Sequence, residues 1–182
     1  MKNERQDILN PAAASLNVVV AYDDVCSGIE AKDLCDRLGQ QLESSIELRL
    51  DFWSFVSLQF AELAPMAAEE AIQAHLLIIS VHGKRDLDPT VKTWLNHWSR
   101  RSQPRGRAIV AQFRGILKMD KELSPAYGFL KHTAECGGVE FFSEVVATSG
   151  EILTQAMQAT HGSAQRPSPL LNALHLYDNQ KT

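Results

Sequence analysis

A chain of 182 residues, 45% of them hydrophobic, has enough apolar material for one domain with a real core, which excludes wholesale disorder. A net charge of −4 with no long basic stripe excludes a dominant nucleic-acid footprint. No apolar run approaches the roughly 18 residues that a bilayer span needs, and the three cysteines lack CxxC spacing, which excludes a disulfide framework and a structural zinc site.

Residues 1–15 are polar and then Pro-Ala-rich and read as a lead-in, with no apolar segment of secretory type behind Met1. A cytoplasmic setting is the expectation. Residues 16–22 are rich in β-branched side chains and predict the first strand, which stops at Asp23-Asp24. Ala31, Leu34, Cys35, Leu38 and Leu42 recur at three and four, so a helix is expected over about 28–42, with Ser27 as its N-cap. Residues 46–50 alternate apolar and polar, as in a strand near a sheet edge. Residues 51–63 carry Phe52, Trp53, Phe55, Val56, Leu58 and Phe60, too many large apolar groups for a solvated loop, and predict a short helix or a packed irregular segment. Pro65 opens a helix over about 66–74.

Leu76-Leu77-Ile78-Ile79-Ser80-Val81 is the run around which the chain is organised. Its lack of polar alternation marks a strand buried on both faces, in the middle of a parallel sheet covered by helices. It ends at His82-Gly83. A helix over about 89–101 follows, capped by Asp88, with Val91, Trp94, Leu95 and Trp98 as its buried stripe. Residues 103–106 form a turn, 108–113 a fourth strand, 125–136 a helix ended by Gly137-Gly138, and 139–142 a fifth strand. Thr148-Ser149-Gly150-Glu151 has capping-box spacing before a last helix. One α/β domain is therefore expected over 16–161, with a tail over 162–182 whose apolar patch, 170–177, offers a helical face to its own domain, a second copy or a partner.

Five strands alternating with helices predict a three-layer, doubly wound α/β fold with a parallel sheet. The common order for five units is 2-1-3-4-5, which sets the ends of the first and third strands side by side at the switch point where such sheets bind ligands. The candidate ligand residues are Asp23, Asp24, Ser27, His82, Gly83 and Lys84, with Cys26 and Arg85 on the same rim. Asp23 and Asp24 supply the oxygen ligands that a hard cation such as magnesium takes. Cys26, ahead of a helix N-terminus, and His82 are the candidate catalytic groups, as nucleophile and base.

The pair Asp23-Asp24 after the first strand resembles the acidic pair of bacterial response-regulator receiver domains, which share the flavodoxin-like fold. That resemblance implies a magnesium site at these two residues and a role in bacterial-type signalling. The chain departs from the receiver pattern elsewhere. Val81-His82 stands where a receiver ends its third strand on the phosphoacceptor aspartate. Phe113-Arg114-Gly115 stands where a Ser or Thr follows the fourth strand, and Ser143-Glu144 where a Lys follows the fifth. Flavodoxins bind the flavin phosphate in a Ser/Thr- and Gly-rich loop after the first strand. Here that loop, residues 23–28, holds two carboxylates and one glycine, which disfavours flavin. The expectation is a non-catalytic, receiver-like regulatory or protein-interaction module with no cofactor beyond a divalent cation, a protein partner or self-association, and no nucleic acid or membrane. The alternative is a metal-assisted hydrolase, or a binder of a small molecule or nucleotide, that uses the rim at the ends of strands 1 and 3.

Overall fold

The computed structural model describes residues 14–101 and 106–146. The expected last helix, the tail and its apolar patch lie outside those residues.

Five parallel strands form one sheet: β1 (Ala14–Tyr22), β2 (Ile46–Ser54), β3 (Leu76–His82), β4 (Ala108–Arg114) and β5 (Glu140–Val146), in the order β2-β1-β3-β4-β5. Four helices connect them: α1 (Val25–Gln41), α2 (Ala64–Gln73), α3 (Pro89–Arg101) and α4 (Pro125–Gly137). This is the doubly wound order expected from the alternation, and β3 lies at its centre as the unbroken apolar run requires.

Strand period 2 divides the core in two. Val18 and Val20 of β1, Leu76 and Ile78 of β3 and Val110 of β4 meet Ala31, Leu34 and Leu38 of α1. The odd-numbered Val19, Leu77, Ile79, Ile109 and Phe113 meet the small face of α2, the stripe of α3 and Leu130 of α4. Ala67 and Ala71 let α2 approach closely. There Trp98 of α3, only 1% exposed, donates its indole N–H to the Ala71 carbonyl at 2.9 Å. Each fully buried Leu, Ile or Val stabilises the fold by about 1.5–3 kcal/mol, so the two layers carry most of the stability.

Local signals place most boundaries. Asp88 Oδ1 accepts from the Thr90 N–H at 2.8 Å ahead of α3, and Gly138 closes α4 in the left-handed region at φ 64°. Three expectations are corrected. Residues 51–54 continue β2 instead of forming an irregular segment, because Val19–Tyr22 of β1 pair in register with Asp51–Ser54; a 3-10 turn at Ser57–Gln59 follows. β5 runs on to Val146, so Ser143 and Glu144 lie inside it, paired with Ala111 and Gln112. α1 starts at Val25, three residues ahead of the expected helix.

Among the described residues no helix is long and apolar enough to cross a membrane.

Candidate functional site

β1 pairs with β2 on one side and β3 on the other, so three chain segments leave the sheet together at its carboxyl edge. The Asp23 N–H donates to the Ser80 carbonyl at 3.0 Å and the Phe55 N–H to the Tyr22 carbonyl at 2.8 Å, which fixes the roots of all three loops.

The early start of α1 reassigns the acidic pair. Asp24, not Ser27, is the N-cap, with extended backbone. Its Oδ1 accepts from the Ser27 N–H at 2.8 Å, while Ser27 Oγ accepts from the Asp24 N–H at 2.9 Å and donates to the Asp24 carbonyl at 2.8 Å. This is a capping box with the acid and hydroxyl positions exchanged. Asp24 Oδ2 lies 2.7 Å from His82 Nδ1. The Asp24 carboxyl is held below its ordinary value, first by the Ser27 N–H and also by His82, against partial burial that pushes it up.

The remaining predicted residues separate. Lys84 turns away to pair with Asp120 at 2.7 Å, and Gly83, at φ 77°, donates its N–H to the Arg114 carbonyl at 2.7 Å. Cys26 is exposed, and no hydrogen bond joins it to His82, whose Nδ1 is taken by Asp24. Both oxygens of Asp24 already hold partners, and among the described residues no group of three or more His, Cys, Asp or Glu side chains is arranged to hold a metal ion.

A polar ladder crosses the face of the sheet beneath α1. Ser80 Oγ donates to Gln112 Oε1 at 2.9 Å, and Gln112 Nε2 donates to Glu144 Oε1 at 2.9 Å. Arg114 Nε donates to Glu30 Oε1 at 2.7 Å. These contacts bind α1 to the last two strands, and they leave Glu30 Oε2 buried without a partner.

On the other face of the rim the three loops enclose a cavity of about 250 Å³. Asp23 comes from the end of β1, Phe55 and Val56 from the loop after β2, and Val81, Arg85 and Leu87 from the end of β3 and the loop beyond. Phe55, Val81 and Leu87 are buried, giving the cavity an apolar wall. A second, shallower groove of about 430 Å³ is lined by Tyr22, Val25, Ile29 and Phe52, with Val25 and Ile29 largely exposed.

Phe55, Val56 and Leu87 were not expected at the site. The predicted strand order was the one signal that could have found them, since it sets the exit of the second strand beside that of the first.

No family model matches the chain, and no curated protein matches it. Solved structures do. A flavodoxin of Streptococcus pneumoniae TIGR4 is 12% identical with a TM-score of 0.49, covering 93% of this chain and 100% of its own. The Trp repressor binding protein of Bacillus subtilis is 16% identical with a TM-score of 0.45, covering 81% and 99%. The general stress protein 14 of Treponema denticola, solved in complex with FMN, is 11% identical with a TM-score of 0.44, covering 91% and 98%. The likeness is one of fold alone; the flavodoxin-like order is that of the sheet itself, β2-β1-β3-β4-β5.

Two expectations are corrected. The receiver-like signalling module is withdrawn, because Asp24, half of the acidic pair that carried it, is spent on the first turn of α1 and on His82; the solved structures above are flavodoxins and flavodoxin-like proteins. The expectation of no cofactor beyond a cation is withdrawn as well; the general stress protein 14 above was itself solved in complex with FMN. The FMN phosphate itself does not fit the start of α1 in this chain. The Ser27 N–H of the first turn is taken by Asp24 Oδ1, so a carboxylate already stands where the helix N-terminus would meet a phosphate.

Proposed function

We propose that this protein binds a small organic molecule in the cavity between the ends of β1 and β3. One observation carries the reading: three separate loops converge at the switch point of the sheet to line a single cavity with an apolar wall and a few charged groups. Open α/β sheets bind ligands in this crevice, and small-molecule sites combine an apolar lining with sparse polar contacts. At about 250 Å³ the cavity lies just below the usual range of roughly 300–1,000 Å³, which suits a small ligand. A flavin would enter through its ring system, with riboflavin favoured over FMN because a phosphate would meet the Asp23 carboxylate.

Thermal unfolding of the full chain against a panel of small molecules, riboflavin and FMN included, tests the reading. A ligand that binds only the folded state raises the unfolding midpoint by mass action. The control is Gln59→Trp, which places a bulky side chain at an exposed position of the cavity lining. A compound that stabilises the wild type and not Gln59→Trp supports binding here. Equal response in both proteins, or response to none, overturns it.

A further inference from the structure

We infer that the cavity recognises a zwitterion, a small molecule that carries an ammonium and a carboxylate on an apolar body, the chemistry of an amino acid. This rests on the binding reading above and names its ligand class. Four charged side chains line the cavity: Asp23, Arg85, Asp86 and Asp88. Two of them are already engaged. Asp86 Oδ2 accepts from Lys92 Nζ at 2.6 Å and its Oδ1 from the Leu87 N–H at 2.9 Å, while Asp88 Oδ1 caps α3 through Thr90.

The other two are available. Among the described residues the Asp23 carboxylate and the Arg85 guanidinium form no hydrogen bond or ion pair, with each other or with any third group. One unpaired anion and one unpaired cation thus face one space backed by buried Phe55, Val81 and Leu87. Charge-assisted hydrogen bonds are the strong ones, and guanidinium grips carboxylate through two parallel N–H donors. A ligand with a single charge leaves one of the two wall charges unmatched as it displaces water. A ligand with both satisfies both, and its apolar body lies against the aromatic and aliphatic wall. Asp23 is rooted in the sheet by its own N–H, which places its backbone at the end of β1. Arg85 stands on an exposed loop and closes on the ligand's carboxylate.

Calorimetric titration of the full chain with L-leucine, 3-methylbutylamine and 4-methylpentanoate separates the charges on one carbon skeleton. L-leucine is expected to bind at least tenfold more tightly than either single-charge analogue. Arg85→Met is expected to erase its advantage over the amine, and Asp23→Asn its advantage over the acid, with circular dichroism unchanged in both variants. Equal affinities for the three compounds, or variants that leave their order intact, overturn the inference. So does an absence of L-leucine binding. If riboflavin or another panel compound still binds in a manner blocked by Gln59→Trp, only the zwitterion falls. If nothing is sensitive to Gln59→Trp, the binding reading falls with it.

Discussion

His82 Nδ1 and Asp24 Oδ2 are 58 residues apart in sequence and 2.7 Å apart in the fold. The contact ties the last residue of β3 to the first turn of α1, so one carboxylate serves a helix cap with one oxygen and a neighbouring strand with the other. A residue that sequence alone presents as a metal ligand is thereby a structural joint.

Removal of that joint costs measurable stability. Asp24→Ala deprives the Ser27 N–H of its acceptor, and an N-cap deletion typically costs about 1 kcal/mol, within a range of roughly 0.5–2. Asp24→Asn retains a capping oxygen and is expected to lose clearly less. Urea unfolding of the three proteins at neutral pH gives the order, which should be wild type, then Asn, then Ala.

The same group makes stability depend on pH. The Asp24 carboxyl titrates lower in the folded chain than its ordinary value of 3.8. Its ionised form is therefore favoured by folding, and its contribution is complete above that ordinary value. The contribution is lost as pH falls through the lower, folded value. The side chain is 40% exposed, so solvent screening keeps the effect small. The stability gap between the wild type and Asp24→Asn should close as the solution is made more acid than about pH 4. A gap that widens on acidification contradicts the assignment.

The three cysteines should divide by reactivity. Cys35 is buried under α1, and that burial pushes its thiol up to about 12, which leaves almost no thiolate at neutral pH. Cys26 and Cys136 are exposed. Iodoacetamide followed by mass spectrometry should find two alkylated thiols in the native protein and three in denaturant, with Cys35 the one gained.

Two glycines with the same backbone requirement should respond differently to a side chain. Gly83 and Gly115 have φ of 77° and 70°, where an L-residue costs roughly 1–2 kcal/mol. Around Gly83 a Cβ meets nothing, whereas at Gly115 it would stand 3.2 Å from His82 Cδ2 and Nε2. Gly115→Ala should therefore be the more destabilising of the two, because it adds pressure on the imidazole held by Asp24. Equal thermal midpoints for the two variants would show that His82 yields freely.

The layers are legible in the order of the residues alone. Unbroken apolar character put Leu76–Val81 at the centre of a parallel sheet, and three-and-four spacing put Val91, Trp94, Leu95 and Trp98 on the inner face of α3. Asp88 and Gly138 marked helix ends through local chemistry. Those signals are short-range, so they are written in adjacent residues. What the rim residues do follows from contacts between distant segments. Periodicity tells which way a side chain points, and not which distant group it meets. Asp24 has a histidine beside its cap because β1 and β3 are neighbours. Residues 51–54 became strand because β1 offered them a pairing edge. Asp23 and Arg85 came to face one cavity because three loops leave the sheet together, and that convergence is a property of the strand order rather than of any stretch of chain.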